Sequence, residues 1–241
     1  FKHGIYYSAL RAKAVRVINQ KEVSSFIKAA GVPESKIVYI PAFYVDVDIF
    51  YPRGDEKEFD LVYAGRLEKN KGINLLIQSL AVVKQSIPMV KLLIIGQGPE
   101  RARLEKMIYR LGLKSNVIFS GWLKNQTDVA AAFNRSRVFV NVAFNEGGPR
   151  VALEAMACGL PVVSTPIGVM IDCIKDGENG YLTGWDPKEI ARQTMRLLGN
   201  NEIYRQFSER GRQVIIENYE KKNSILNYAN KLSLLCDHVA I

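Results

Sequence analysis

Short apolar runs alternate with longer amphipathic stretches along most of the 241-residue chain. AVRVIN at 14–19 reads as a strand. It leads into the helical KEVSSFIKAAG at 21–31, which Gly31 ends and Pro33 follows. KIVYIP at 36–41 is the next short strand. From residue 59 the alternation becomes regular. Strands FDLVYAG (59–65), VKLLIIG (90–96), NVIFSG (116–121), RVFVNV (137–142) and LPVVST (160–165) are separated by helical segments. Those segments are INLLIQSLAVVKQ (73–85), one starting at Glu100, one near Val129 and one at 149–158. Apolar strands of about five residues between amphipathic helices imply a parallel sheet covered on both faces. The predicted fold class is α/β, a doubly wound, Rossmann-like parallel sheet.

PAFYVDVDIFYPR at 41–53 breaks this rhythm, with prolines near both ends and no helical period, and reads as a linker. The first fifty residues hold only two strands, too few for a sheet of their own, and read as the tail of a preceding domain. Asp186-Pro187-Lys188-Glu189 is a helix start: an N-cap, a proline at the first helical position and a glutamate at the third. Helices are expected from there to the C-terminus, with a break near Asn218. The expected units are therefore 1–50, 51–216 and a final helix at 217–241.

Composition narrows the class only a little. The 48% hydrophobic and 24% charged residues are those of an ordinary globular protein. Cys158, Cys173 and Cys236 are far apart and form no C-x-x-C pair, which argues against a disulfide framework or zinc ribbon and suits a reducing compartment. No run approaches the ~18 apolar residues of a membrane span, and the first residues lack the apolar core of a signal peptide. The net charge of +9 leaves three partners open: nucleic acid, an anionic membrane surface or a small polyanion. Within 101–111, Leu104, Met107, Ile108 and Leu111 share one helical face, and Arg103, Lys106 and Arg110 lie opposite. That basic side is either a solvated face or a membrane-facing one. No RNA-type aromatic motif or zinc-finger spacing supports nucleic acid.

Three segments could carry chemistry. GRLEKNKG at 65–72 follows a strand and precedes a helix. Gly65 allows a tight turn, and Arg66 and Lys71 set two cations at the carboxyl end of a strand, where open α/β sheets bind ligands. A guanidinium grips diphosphate oxygens in bidentate fashion, but a basic surface turn would read the same way. IIGQGPE at 94–100 has G-x-G, but Arg101 stands where a third glycine would complete a dinucleotide fingerprint, so it is assigned to structure. In NEGGPRVALEAMACGLPVV at 145–163, Glu146 and Glu154 are separated by seven residues. With Pro149 as the first helical residue, the amides of Arg150 and Val151 are left free, as in an anion site. Gly147 and Gly148 remove side chains where a ligand would press on the backbone. Glu154 stands alone among apolar neighbours, and a carboxylate there can accept two hydrogen bonds from a ribose diol. The alternative is a solvated helix residue. His3 and His238 sit near the ends, with no partner at metal-ligand spacing.

Together these residues resemble the retaining, GT-B-fold glycosyltransferases of family 4, the glycosyltransferases group 1. The resemblance runs from about Ala14 to the end, through GVPESKIVYIP, GRLEKNKG, LLIIGQGPE, NVIFSGWL, EGGPRVALEAMACGLPVVSTPIG and DGENGYL. It implies that Gly65, Arg66 and Lys71 meet the donor diphosphate and that Glu154 holds the ribose. It implies that Glu146, the candidate catalytic residue, contacts the donor sugar and that the main chain at Leu123 contacts the base. The Arg150 and Val151 amides would face phosphate, with Gly147 and Gly148 beside them. It further implies a UDP- or GDP-sugar donor, a glycan or lipid-linked glycan acceptor, and no cofactor or metal. The last fits the lack of a D-x-D motif beside a strand. A cytoplasmic place is expected, with peripheral contact at an anionic membrane. Residues 1–50 would be the end of the acceptor domain, 51–216 the nucleotide-sugar domain, and 217–241 a helix crossing back; the donor portion alone would be inactive. Two departures stand out: Pro149 replaces a glycine common in the family, and Gly168-Val169-Met170-Ile171-Asp172 replaces the usual Gly-Gly-x-x-Glu. A nucleotide-sugar epimerase or phosphorylase relative, or a basic binding module, are the competing readings. The paired glutamates argue against the first two.

Overall fold

A computed structural model describes residues 2–41 and 43–236. His238 lies outside the described residues, as does the side chain of His3. The main sheet has six parallel strands: β3 (Phe59–Ala64), β4 (Leu92–Ile95), β5 (Val117–Gly121), β6 (Ser136–Asn141), β7 (Val162–Ser164) and β8 (Tyr181–Leu182). Their order is β5-β4-β3-β6-β7-β8. The chain winds outward from β3 to β5, then returns to β6 on the other side of β3. β3 and β6 therefore flank the topological switch point, where strands diverge and a crevice opens at their carboxyl ends.

Helices cover both faces, so strand residues are apolar on both sides. Leu61, Tyr63, Leu92 and Ile94 pack with α3 (Ile73–Ser86), α4 (Arg101–Arg110) and α8 (Pro187–Gly199). Val62, Ala64, Leu93 and Ile95 pack with α5 (Gln126–Asn134), α6 (Arg150–Ala157) and α9 (Asn201–Tyr219). This two-sided burial is what the continuous apolar runs anticipate. α8 starts as read, with Asp186 accepting a hydrogen bond from the Lys188 amide and Pro187 at the first position. That cap contributes about 1 kcal/mol. α4 buries Leu104 and Ile108, but the helix ends at Arg110, and Leu111 turns outward instead of joining the apolar face.

The first fifty residues depart from expectation. β1 (Val15–Val17) and β2 (Ile37–Tyr39) do form a sheet of their own, a parallel pair in register Val15 to Ile37. The crossover helix α2 (Glu22–Ala29) makes parallel pairing possible. A preceding helix, α1 (Lys2–Arg11), was not read from the sequence. The Lys36 ammonium donates to the carbonyls of Ala9, Leu10 and Ala12, holding the end of α1 against this pair. At the other end, α9 stops at Tyr219 and α10 (Lys221–Cys236) begins. Val45 forms a parallel bridge with Glu220, and Lys221 Nζ lies 2.8 Å from Asp46. α10 then runs along the first unit, where Lys231 donates to the Tyr39 carbonyl and Arg16 lies over the Tyr228 ring.

Candidate functional site

The loops after β3 and β6 meet at the switch point. Gly72 makes their approach possible: its φ is +63°, and a Cβ there would fall 2.0 Å from the Val142 carbonyl oxygen. The Phe144 main-chain amide donates to the Asn70 carbonyl at 2.8 Å, and the Asn70 side-chain Nδ2 donates to the Asn145 carbonyl at 3.3 Å. The turn carrying Lys71 is thereby fixed against the loop carrying Glu146. Lys71 Nζ lies 2.5 Å from Glu146 Oε1, with both side chains mostly buried. Between these loops Tyr63 is buried, and burial, followed by the charges of Glu146 and Glu68, holds its hydroxyl in the protonated form. It donates to the Arg66 carbonyl at 3.2 Å and so supports the turn from below.

The carboxyl ends of β3, β4 and β5 also border a cavity of about 200 Å³, whose lining includes neither Lys71 nor Glu146. Gly65, Leu123, Val151 and Glu154 all line it, as four of the residues singled out from the sequence. Phe50 and Ile95 supply apolar wall, and Trp122, Lys124 and Asn125 form the outer rim. Glu154 is 6% exposed. Its Oε1 accepts from Arg150 Nε at 3.0 Å, and Arg150 itself lies over the Tyr44 ring. Burial raises the Glu154 pKa, and Arg150 only partly opposes this. The cavity therefore holds a carboxylate with spare acceptor capacity against an apolar wall, which suits a diol on a flat apolar group.

Several expected site residues are placed differently. Arg66 is two-thirds exposed and pairs with Glu68 at 3.0 Å; it does not line the cavity. Pro149 caps α6 from outside, and the helix starts at Arg150. The Arg150 amide is not free: it donates to the Gly148 carbonyl at 2.9 Å, because the residues before it form a tight turn. Gly148 does not leave room for a ligand. A Cβ there would fall 2.1 Å from the Phe43 ring, so the glycine accommodates that ring. Gly147 faces Ile18. G-x-G at Gly96 and Gly98 is structural, as read: both pack backbone to backbone against residues 65–67. Asp172, in the divergent loop, accepts from the Gln20 and Lys21 amides, and the Gly168 amide donates to Glu22 at 2.8 Å. Phe50, Tyr63, Trp122 and Asn125 were missed, although the aromatic beside Gly121 was a visible signal. Among the described residues, no group of three or more His, Cys, Asp or Glu side chains is placed to hold a metal ion.

Residues 47–214 match the family described as Glycosyl transferases group 1. The chain belongs to this family. Among curated relatives, this glycosyltransferase chain is 29% identical over 174 residues to N-acetyl-alpha-D-glucosaminyl L-malate synthase of Bacillus anthracis, covering 72% of this chain and 45% of that one. Among solved structures it is 25% identical to S. aureus TarM in complex with UDP, fondaparinux and alpha-GlcNAc-glycerol, with a TM-score of 0.79 over 92% of this chain and 44% of that one. Anabaena HepE in complex with UDP, at 22% identity, shares the fold with a TM-score of 0.85 over 95% of this chain and 66% of that one. The fold is that of a GT-B donor domain. This glycosyltransferase chain spans less than half the length of the curated relatives it matches. The family match supports none of the epimerase, phosphorylase or binding-module readings.

Proposed function

We propose that this chain supplies the donor site of a glycosyltransferase that moves a sugar from a nucleoside-diphosphate sugar to a glycan or lipid-linked glycan, with retention and without a metal. The reading rests on one observation: Gly65, Leu123, Val151 and Glu154, from three separate segments, line a single cavity at the carboxyl ends of the strands. The base lies against Phe50 and Leu123, with Trp122 at its edge and its polar rim on the Leu123 main chain. The ribose hydroxyls donate to Glu154. The diphosphate then reaches the Val151 amide and the turn bearing Lys71 and Arg66. Lys71 leaves or shares its bond to Glu146 when phosphate arrives, because a dianionic group competes well for the ammonium. That releases Glu146 toward the sugar. Charge growing on the departing diphosphate is stabilised by Lys71, Arg66 and the start of α6. Residues 1–50 and α10 form the part of the molecule nearest the acceptor.

UDP is the first nucleotide to test, since TarM, at 25% identity, holds it. Calorimetry on this chain is expected to give saturable binding of UDP or GDP, unchanged by EDTA, with uridine or guanosine binding more weakly. Absence of binding by either diphosphate, or binding abolished by EDTA, refutes the proposal.

A further inference from the structure

A second concavity lies away from the cleft, between α3 and α4. Its volume is about 480 Å³, and it is lined by Asn74, Arg103, Leu104, Lys106, Met107 and Arg110. α4 presents two different flanks. Toward β5, Arg101 is neutralised: it bonds to Glu105 at 2.6 Å, and its guanidinium lies 3.6 Å from the centre of the Phe119 ring. Toward α3, Arg103, Lys106 and Arg110 share one stripe, since residues three and four apart are neighbours on a helix. Arg103 bonds to Glu100 at 2.6 Å. Lys106 and Arg110 form no ion pair among the described residues.

The opposing helix does not compensate. α3, INLLIQSLAVVKQS, contains no Asp or Glu. Two like charges one turn apart, facing a helix without carboxylates, repel each other unless an external anion joins them. The floor of the groove is apolar, with Leu104 buried and Met107 half-buried. At the end of α4, Tyr109 is 76% exposed and Leu111 is 41% exposed. Unpaired cations beside an exposed aromatic and a leucine form a surface suited to lipid phosphates.

We propose that the α3–α4 groove docks on an anionic bilayer, Lys106 and Arg110 meeting lipid phosphates while Tyr109 and Leu111 enter the interface. Charge complementarity selects the occupant. A single nucleic acid strand would need successive stacking platforms, and the groove lining holds no aromatic side chain, with Tyr109 exposed outside it. The inference does not depend on the donor site.

Sedimentation of the 241-residue chain with phosphatidylglycerol–phosphatidylcholine vesicles, and with pure phosphatidylcholine vesicles, tests this. The chain is expected to pellet with the anionic vesicles only, and less so as salt rises. The double variant Lys106→Ala/Arg110→Ala is expected to partition about 30-fold more weakly, from the contribution of each basic residue near such a surface. Arg192→Ala, on α8, is expected to leave partitioning nearly unchanged. UDP calorimetry on the double variant should match the parent, which separates this result from any failure at the donor site. Three outcomes overturn the proposal: no binding to anionic vesicles, equal binding by the double variant, or retention on duplex DNA without vesicle binding.

Discussion

Between Phe50 and Glu154 the cleft is walled by packed side chains, whereas between Arg66 and Glu146 its charges bond to one another or face solvent. The first end is a cavity fixed by one core: Phe50 and Ile95 are buried in it, and Leu123 and Val151 pack against it. If the proposed base occupies it, its binding carries little ordering cost, because the walls are already packed. At the second end, Lys71 is already occupied by Glu146 and Arg66 by Glu68. A diphosphate must replace those partners. On the proposed function, the nucleoside end is built by packing and the phosphate end by exchange of ion pairs, so variants should separate them.

The largest effect is expected from Lys71→Ala. UDP affinity should fall about 10- to 100-fold, the range of a lost charge-assisted hydrogen bond, while uridine binding is unchanged. Equal loss for both ligands in calorimetry would erase the distinction between the two ends. Glu154→Gln comes next. It should weaken uridine and UDP alike, by about tenfold, because one hydrogen bond to a charged acceptor is replaced by a neutral one. It should also raise the melting temperature near neutral pH. Burial lifts the Glu154 pKa in the folded chain above its unfolded value. Its favourable protonated state is complete below the unfolded value and is lost as pH rises through the folded one. The gap between variant and parent should therefore close on acidification, as scanning calorimetry across pH can check. Arg66→Ala should have the smallest effect, about threefold on UDP, because an exposed ion pair is worth little. That loss should vanish in high salt.

The alternating apolar runs made the sheet legible because two-sided burial requires them. Each of the regular strands from 59 to 165 appears where its run lies, and β8 escaped because two residues carry no period. The burial of Glu154 was legible for a physical reason as well: a lone carboxylate in an apolar helix has to be held by a partner, which here is Arg150. What stayed hidden depends on contacts far apart in sequence. Nothing near Gly148 in the chain announces the ring of Phe43, and nothing near Arg150 shows that its amide is turned back on Gly148. Lys71 and Glu146 were each read toward a ligand; their bond to one another spans 75 positions. The β1–β2 pair was missed because a sheet was judged by strand count and not by the crossover helix between its strands.

The bridge from Val45 to Glu220, reinforced by Asp46 and Lys221, has a mechanical consequence. The polypeptide passes this point twice, and the two passages are stitched side by side. α10 cannot swing without pulling on the segment at Val45, and through Lys231 and Arg16 it carries residues 13–39 along. Relative rotation therefore has one pivot instead of two independent joints, and a load applied to the last helix is delivered next to Phe50, in the wall of the cavity.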